Sequence, residues 1–315
     1  MSLTNGTRDG FAFILVGLPG MEAAQFWLAF PLCAMYLVAV VGNCAVIYAV
    51  KTDPALHAPV YFFLCMLSAV DVLLSTCTMP KILSFFWFDA REIGYNACLA
   101  QMFFIHALSG AESTVLLGMA VDRYVAICHP LRHSAVLTNS MTAKIGFVAV
   151  ARGALFFLPL PLLINRLPLC GSRVLTHSYC VHQDVMHLAC GDRMPNVAYG
   201  LTAILAVMGL DSLLIFLTYA VIMKTVLQLP SRQEQLKASG TCLAHVCVVL
   251  AFYVPLIGLS VLHRFGRLAH GLVHITAVAS TTTLLEYPDC SNPPLIYAAR
   301  TKELRRRALK PVRRS

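Results

Sequence analysis

Residues 119–130 read MAVDRYVAICHP, and they set Asp122 beside Arg123 at the end of a long apolar run. Charged residues at such a place face a protein interior or an interface, because hydrocarbon cannot solvate them. Cys98 stands at the other end of the run; counted as α-helix at 1.5 Å per residue, the distance from it to Arg123 is about 38 Å, enough to cross a bilayer. Between them lies Glu112, 11 positions before Arg123. At about 100° per residue the two return to within roughly 20° of one helix face, so both are expected to point away from lipid.

The rest of the chain has the same character. Its 315 residues are 58% hydrophobic and 12% charged, with a mean hydropathy of +0.72, whereas soluble domains carry roughly a quarter charged residues. Seven apolar stretches are long enough to span: Phe26–Val50, Pro59–Phe86, Tyr95–Cys128, Met141–Asn165, Asn196–Gln228, Leu236–Leu262 and His270–Tyr297. Each span must satisfy its own backbone hydrogen bonds, and strands of this length would alternate in polarity, so helices are expected. The predicted fold is all-α, a seven-helix bundle forming one integral domain over residues 1–315. Residues 1–25 are placed outside and a basic tail, 298–315, with a short helix, is placed inside.

Basic residues in short loops set the orientation. Lys51, Arg132, Lys144, Lys224, Arg232 and the tail cations Arg305, Arg306 and Arg307 fall on one side of seven alternating spans, which is therefore cytoplasmic. The formal net charge of +9 then reflects topology and contact with anionic membrane lipid rather than nucleic-acid binding. The first 20 residues lack the basic start of a cleavable signal, so the first span is expected to direct insertion. Asn5-Gly6-Thr7 fits a glycosylation acceptor on the outer side.

Of twelve cysteines, those inside spans read as small apolar residues. Cys98, Cys170, Cys180 and Cys190 lie on the oxidising outer side, where disulfides form. Four cysteines allow three pairings. His182 and His187 lie between Cys180 and Cys190, so zinc is the competing reading, disfavoured where thiols are oxidised.

The strings "MAVDRYVAICHPLRH" from Met119, "PVYFFLCMLSAVD" from Pro59 and "KASGTCLAHVCVVLAFY" from Lys237, with Gly42-Asn43, resemble a rhodopsin-like G-protein-coupled receptor, and more narrowly an olfactory receptor. The likeness covers nearly the whole chain, and "FYVPLIGLSVLHRFG" from Phe252 resembles the fish-like class I group, which is similar to receptors for carboxylic acids. The resemblance implies a small-molecule odorant, a heterotrimeric G protein of the stimulatory, olfactory type with cyclic AMP as output, a plasma-membrane location and no enzymatic activity. It also implies disulfides joining Cys98 to Cys180 and Cys170 to Cys190. Asp122, Arg123 and Tyr124 would hold the resting state and then present Arg123 to the G protein, with Tyr219, Tyr297 and the 237–245 segment rearranging. The alternative is an interfacial pair that merely anchors the third helix.

Two carboxylates at mid-membrane, Asp71 and Glu112, cannot both ionise without a cation or proton between them. The resemblance makes them a sodium pocket; the competing reading is protonated, hydrogen-bonded carboxyls. No other cofactor is implied. For the ligand, Arg264 resembles the class I basic residue above the odorant pocket, and a guanidinium offers a carboxylate two parallel donors. His106, about 12 Å below Cys98 on the third helix, is expected to join Arg264, Ser260, His182 and Gln183 at a polar end. Phe104, Leu108, Met208, Leu256 and Leu259 are candidate apolar walls. Against these stand helix C-terminal capping for Arg264 and interhelical packing for His106.

The last span departs from the family's Asn-Pro-x-x-Tyr pattern. It reads "LLEYPDCSNPPLIY" from Leu284, so either Pro293 stands where the asparagine belongs or Tyr297 is displaced by one residue. Local adaptation and a shifted reading frame both account for this. Among other classes, an ion-coupled transporter would use Asp71 and Glu112 but predicts inverted repeats, which are not evident. An intramembrane enzyme would need a constellation such as His-Glu-x-x-His, which is absent. A class I receptor for a metabolite outside the olfactory epithelium fits the same residues.

Overall fold

A computed structural model describes residues 11–16, 22–170 and 172–265. The predicted seventh span, 270–297, lies outside them, as do Asn5, Tyr297 and the basic tail. Within them, six helical stretches are long and apolar enough to cross a membrane: Ala24–Thr52, Pro59–Phe88, Tyr95–Cys128, Asn139–Asn165, Met194–Leu227 and Arg232–Val254.

The first three spans are α1 (Glu22–Thr52), α2 (Pro59–Phe88) and α3 (Tyr95–Cys128). Pro59 opens α2 at a position where a missing N–H costs nothing. Asp89 closes it in the left-handed region (φ 52°), its amide donating to the Ser84 carbonyl. After the short cytoplasmic helix α4 (His133–Val136), the fourth span runs as α5 (Asn139–Phe157) and α6 (Pro159–Asn165). The Thr138 hydroxyl caps α5 by accepting from the Met141 amide. An outer-loop helix, α7 (His182–His187), precedes the fifth span, which is α8 (Met194–Ile204), a π-helical turn (Leu205–Gly209) and α9 (Leu210–Leu227). The sixth span begins the long helix α10 (Arg232–Phe265).

α3 is the axis of the bundle: 61% of its most apolar stretch is buried, against 17% for the first span. Glycine sets how closely the fourth span approaches it. A Cβ on Gly153 would lie 2.3 Å from the Ala107 carbonyl oxygen, a backbone atom that cannot swing aside, so this crossing tolerates no side chain. Phe63, Leu116, Met119, Phe157, Val207 and Ile222 fill the core around it, each at most 1% exposed.

The outer end carries structure that the hydropathy pattern does not announce. β1 (Ala12–Leu15) pairs antiparallel with β2 (Glu92–Gly94) and parallel with β3 (Val174–Leu175), giving the order β2-β1-β3. Phe13 and Leu15 are fully buried beneath it, against Tyr95, Met102, Cys180 and Val185. Burying two such side chains contributes about 1.5–3 kcal/mol each, so the segment preceding α1 is part of the folded cap. Cys98 is bonded to Cys180 and Cys170 to Cys190, the pairing that the resemblance implies. Gln101 secures the first bridge by accepting from the Cys180 amide (3.0 Å) and donating to the Cys77 carbonyl (2.8 Å).

Candidate functional site

Three polar clusters are stacked along α3. The outermost is built on His106. Its ring lies 5.8 Å from that of Phe157, and α7 brings His182 within electrostatic reach of it. The Cys98–Cys180 bridge fixes this meeting, because it ties the start of α7 to the top of α3 two residues away. His182 is 6% exposed, and among the described residues its Nε2 has no hydrogen-bond partner. Burial lowers its pKa to about 4, so the ring is neutral at pH 7 and offers one N–H donor and one acceptor. Gly200 on α8 makes room for it; a Cβ there would lie 3.4 Å from the His182 ring.

Gln183 and Leu108 are half-buried nearby in sequence, Met208 is buried, and Leu256 packs against the core. Phe104 does not join them, which corrects its assignment as an apolar wall. It is 50% exposed and packs against Phe103, because residues two apart on a helix lie about 200° apart, and His106 has taken the inward face. Leu259, Ser260 and Arg264 fall in the last turns of α10, where their side chains lie outside the described residues.

The middle cluster joins four spans. Arg152 on α5 donates through Nη1 to Asp211 Oδ1 (2.8 Å) and Oδ2 (2.7 Å) on α9, and to the Thr114 hydroxyl (2.9 Å) on α3. Its Nη2 donates to the carbonyls of Ala206 (2.9 Å) and Val207 (3.2 Å). Those carbonyls belong to the π-helical turn, where the helical ladder is loosened and an outside donor is needed. The Ser113 hydroxyl donates to Asp211 Oδ2 (2.8 Å) and accepts from Tyr253 on α10 (2.7 Å). Asp211 is 1% exposed, Ser113 0% and Tyr253 5%. Spans three, four, five and six thus share one buried carboxylate.

Glu112, beside Ser113 on α3, brings Asp71 of α2 to the edge of this cluster, since it lies within electrostatic reach of both Asp71 and Tyr253. Glu112 is 3% exposed, within electrostatic reach of Asp71, and its Oε2 has no partner among the described residues.

The inner cluster surrounds Arg123. Asp122 is 2% exposed; its Oδ2 lies 3.5 Å from Arg123 Nη2, and its Oδ1 accepts from His133 Nε2 at 2.9 Å. The Arg123 side chain is 16% exposed and lies within electrostatic reach of His245 on α10. His245 is itself fully buried, and its Nδ1 meets the Tyr219 hydroxyl at 2.6 Å with the two rings stacked. Tyr124 turns instead toward His129 Nε2 (3.3 Å). Arg123 is thus held inside the bundle between its own helix and the sixth.

Sequence reasoning did not find Arg152 or Asp211, and it met His133 only as a loop charge and His245 only as the end of the 237–245 segment, without their partners. The first two had a usable signal, since each is a lone charge inside an apolar span. The histidines had none beyond lying in or beside the quoted strings.

Six membrane-spanning helices among the described residues, with an outer-loop disulfide on the third and an Asp-Arg-Tyr sequence at its inner end, are the architecture of a multi-span membrane receptor. Residues 32–313 match the olfactory receptor family. Over 309 residues the chain is 63% identical to Olfactory receptor 51E2 of Homo sapiens, covering 98% of this chain and 95% of the relative. It is 56% identical over 298 residues to Olfactory receptor 51E1 of Homo sapiens (95% and 92%) and 49% over 307 residues to Olfactory receptor 51G2 of Homo sapiens (97% and 96%). The chain belongs to the olfactory receptor family, and is a multi-pass receptor of the plasma membrane built as a helical bundle.

Proposed function

We propose that the receptor binds small carboxylate-bearing odorants at its outer end and activates a stimulatory, olfactory-type G protein, raising cyclic AMP. The observation that carries this reading is the stacking of the three clusters on α3, with Tyr253 and His245 on the same sixth helix linking the two lower ones. Arg264 lies in the last turn of that helix. A ligand carboxylate held by Arg264 and by His106, His182, Gln183 and Ser260 would pull on the outer end of α10. Leu108, Met208, Leu256 and Leu259 would surround its short apolar tail. The ligand favours the active arrangement only by binding it more tightly than the resting one.

Transmission through Ser113, Tyr253 and Asp211 would then let the inner end of α10 leave Arg123, opening a cleft for the G protein beside Asp122, Arg123, Tyr124 and Tyr219. Tyr297 would take part from the seventh span. Asp71 and Glu112 would hold a sodium ion in the resting state, a reading supported by the Glu112 Oε2, which has no partner among the described residues. Glycosylation at Asn5 would assist delivery to the surface.

The test is a series of straight-chain carboxylates applied to cells expressing the full chain, read as cyclic AMP, alongside Arg264→Ala with surface copies counted. A hydrogen-bonded charge pair contributes about 1.5–3 kcal/mol, so the half-maximal concentration is expected to rise about 10-fold to 100-fold. An unchanged response at normal surface density rejects the carboxylate reading.

A further inference from the structure

The outer loop carries two disulfides in unlike surroundings. Cys98 and Cys180 are 0% and 1% exposed, sealed within the cap. Cys190 is exposed and Cys170 half-buried, so their bond lies where a dissolved thiol can reach it. The backbone around this second bond is held independently of it. The Cys170 amide donates to the Leu188 carbonyl (3.2 Å) and the Cys190 amide to the Pro168 carbonyl (3.0 Å), with Leu169 bridged antiparallel to Ala189 between them. Leu169 and Ala189, 3% and 7% exposed, belong to the core beneath the sheet. Two paired segments anchored in this way keep the sulfurs adjacent when the bond between them opens. Exposed disulfides are the exchangeable ones, because exchange requires access to a sulfur.

We infer that the Cys170–Cys190 bond is a thiol-exchange site, at which a low-molecular-weight extracellular thiol becomes attached to Cys190 and loosens the outer-loop helix α7. The thiolate, which is the reactive form, attacks the exposed Cys190 Sγ. A new sulfur–sulfur bond forms there, the Cys170–Cys190 bond breaks, and Cys170 leaves with the electron pair and takes a proton from water. The Pro168 carbonyl, 4.0 Å from Cys170 Sγ, is placed to accept from the thiol so formed. Attack by Cys170 on the mixed disulfide expels the small thiol and restores the original bond. The consequence falls on α7 because it lies inside the 20-residue separation that the bond spans. With the bond open, the start of α7 stays tied through Cys98–Cys180, and β3 stays paired with β1. The end of α7, where the Leu188 and Ala189 amides donate to the Val185 and Met186 carbonyls, loses its covalent tie and keeps only the paired segment.

The experiment exposes intact cells carrying the full receptor to glutathione, quenches in acid, alkylates free thiols and maps the outer-loop peptides by mass. Hydrogen exchange is followed on the full receptor in detergent before and after the same treatment. The expected result is glutathione on Cys190 and an alkyl group on Cys170, with Cys98–Cys180 intact in the same molecules. Amide exchange at residues 185–189 is expected to quicken about ten-fold through local opening, while residues 12–15 of β1 stay as they were. The double variant Cys170→Ser with Cys190→Ser is expected to exchange fast from the start and to ignore glutathione; if it fails to reach the surface, the wild-type mapping decides alone. Opening of both disulfides together, or a folded receptor whose Cys190 gains no glutathione, overturns the exchange site. Glutathione on Cys190 with exchange at residues 185–189 unchanged overturns the loosening of α7.

Discussion

Asp211→Leu is expected to remove most of the receptor from the cell surface. The substitution leaves the Arg152 guanidinium, 20% exposed, inside the bundle with only carbonyl and hydroxyl oxygens as partners among the described residues. Breaking a buried ion pair from one side costs about 3–5 kcal/mol, against a total stability for a folded domain of about 5–15 kcal/mol. Surface labelling and thermal unfolding in detergent measure it. The double variant Arg152→Leu with Asp211→Leu is expected to recover much of the lost stability, since neither charge is then stranded, and yet to signal poorly. Its π-helical turn loses the donor to Ala206 and Val207, and Ser113 loses the acceptor through which it ties Tyr253 to the fifth span. If Asp211→Leu unfolds at the wild-type temperature, the cluster does not hold the four spans together.

Asp122→Asn is expected to raise ligand-independent signalling. Asp122 is the carboxylate that keeps Arg123 on its own helix and draws His133 in from the cytoplasmic loop. An amide keeps the shape but loses the charge, and charged hydrogen bonds contribute about 1.5–3 kcal/mol against about 1 for neutral ones. A difference of about 1 kcal/mol shifts the ratio of active to resting receptors about five-fold, read as basal cyclic AMP per surface copy. His133→Phe removes one of the two bonds and is expected to give a smaller rise in the same direction. Unchanged basal output from Asp122→Asn at normal surface density contradicts a restraining role.

The sequence made the spans legible because a bilayer demands about 20 apolar residues from each helix, and six of the seven predicted stretches coincide with described helices to within a few residues. It was silent on β1, β2 and β3, because strands of two to four residues leave no periodicity to read. It was silent on the π-helical turn too, since that turn is held by Arg152 from a neighbouring span. Residues with chemistry inside one string, such as Asp122 and Arg123, could be singled out. Clusters assembled from four helices could not, because which lone charge meets which is decided by helix rotation and depth. Phe104 shows the same limit in small: its hydrophobicity suited a pocket wall, and only its place opposite His106 on α3 sent it outward.

A small acid at the outer end is expected to move the inner end of the sixth helix away from Arg123. The direct measurement is the distance between labels, carried on site-specifically incorporated residues at exposed Ser134 and Glu234, in the full receptor with and without a saturating acid agonist and G protein. The expected result is a separation that grows by several ångströms when agonist is added. A separation that stays fixed while the same agonist raises cyclic AMP contradicts the account.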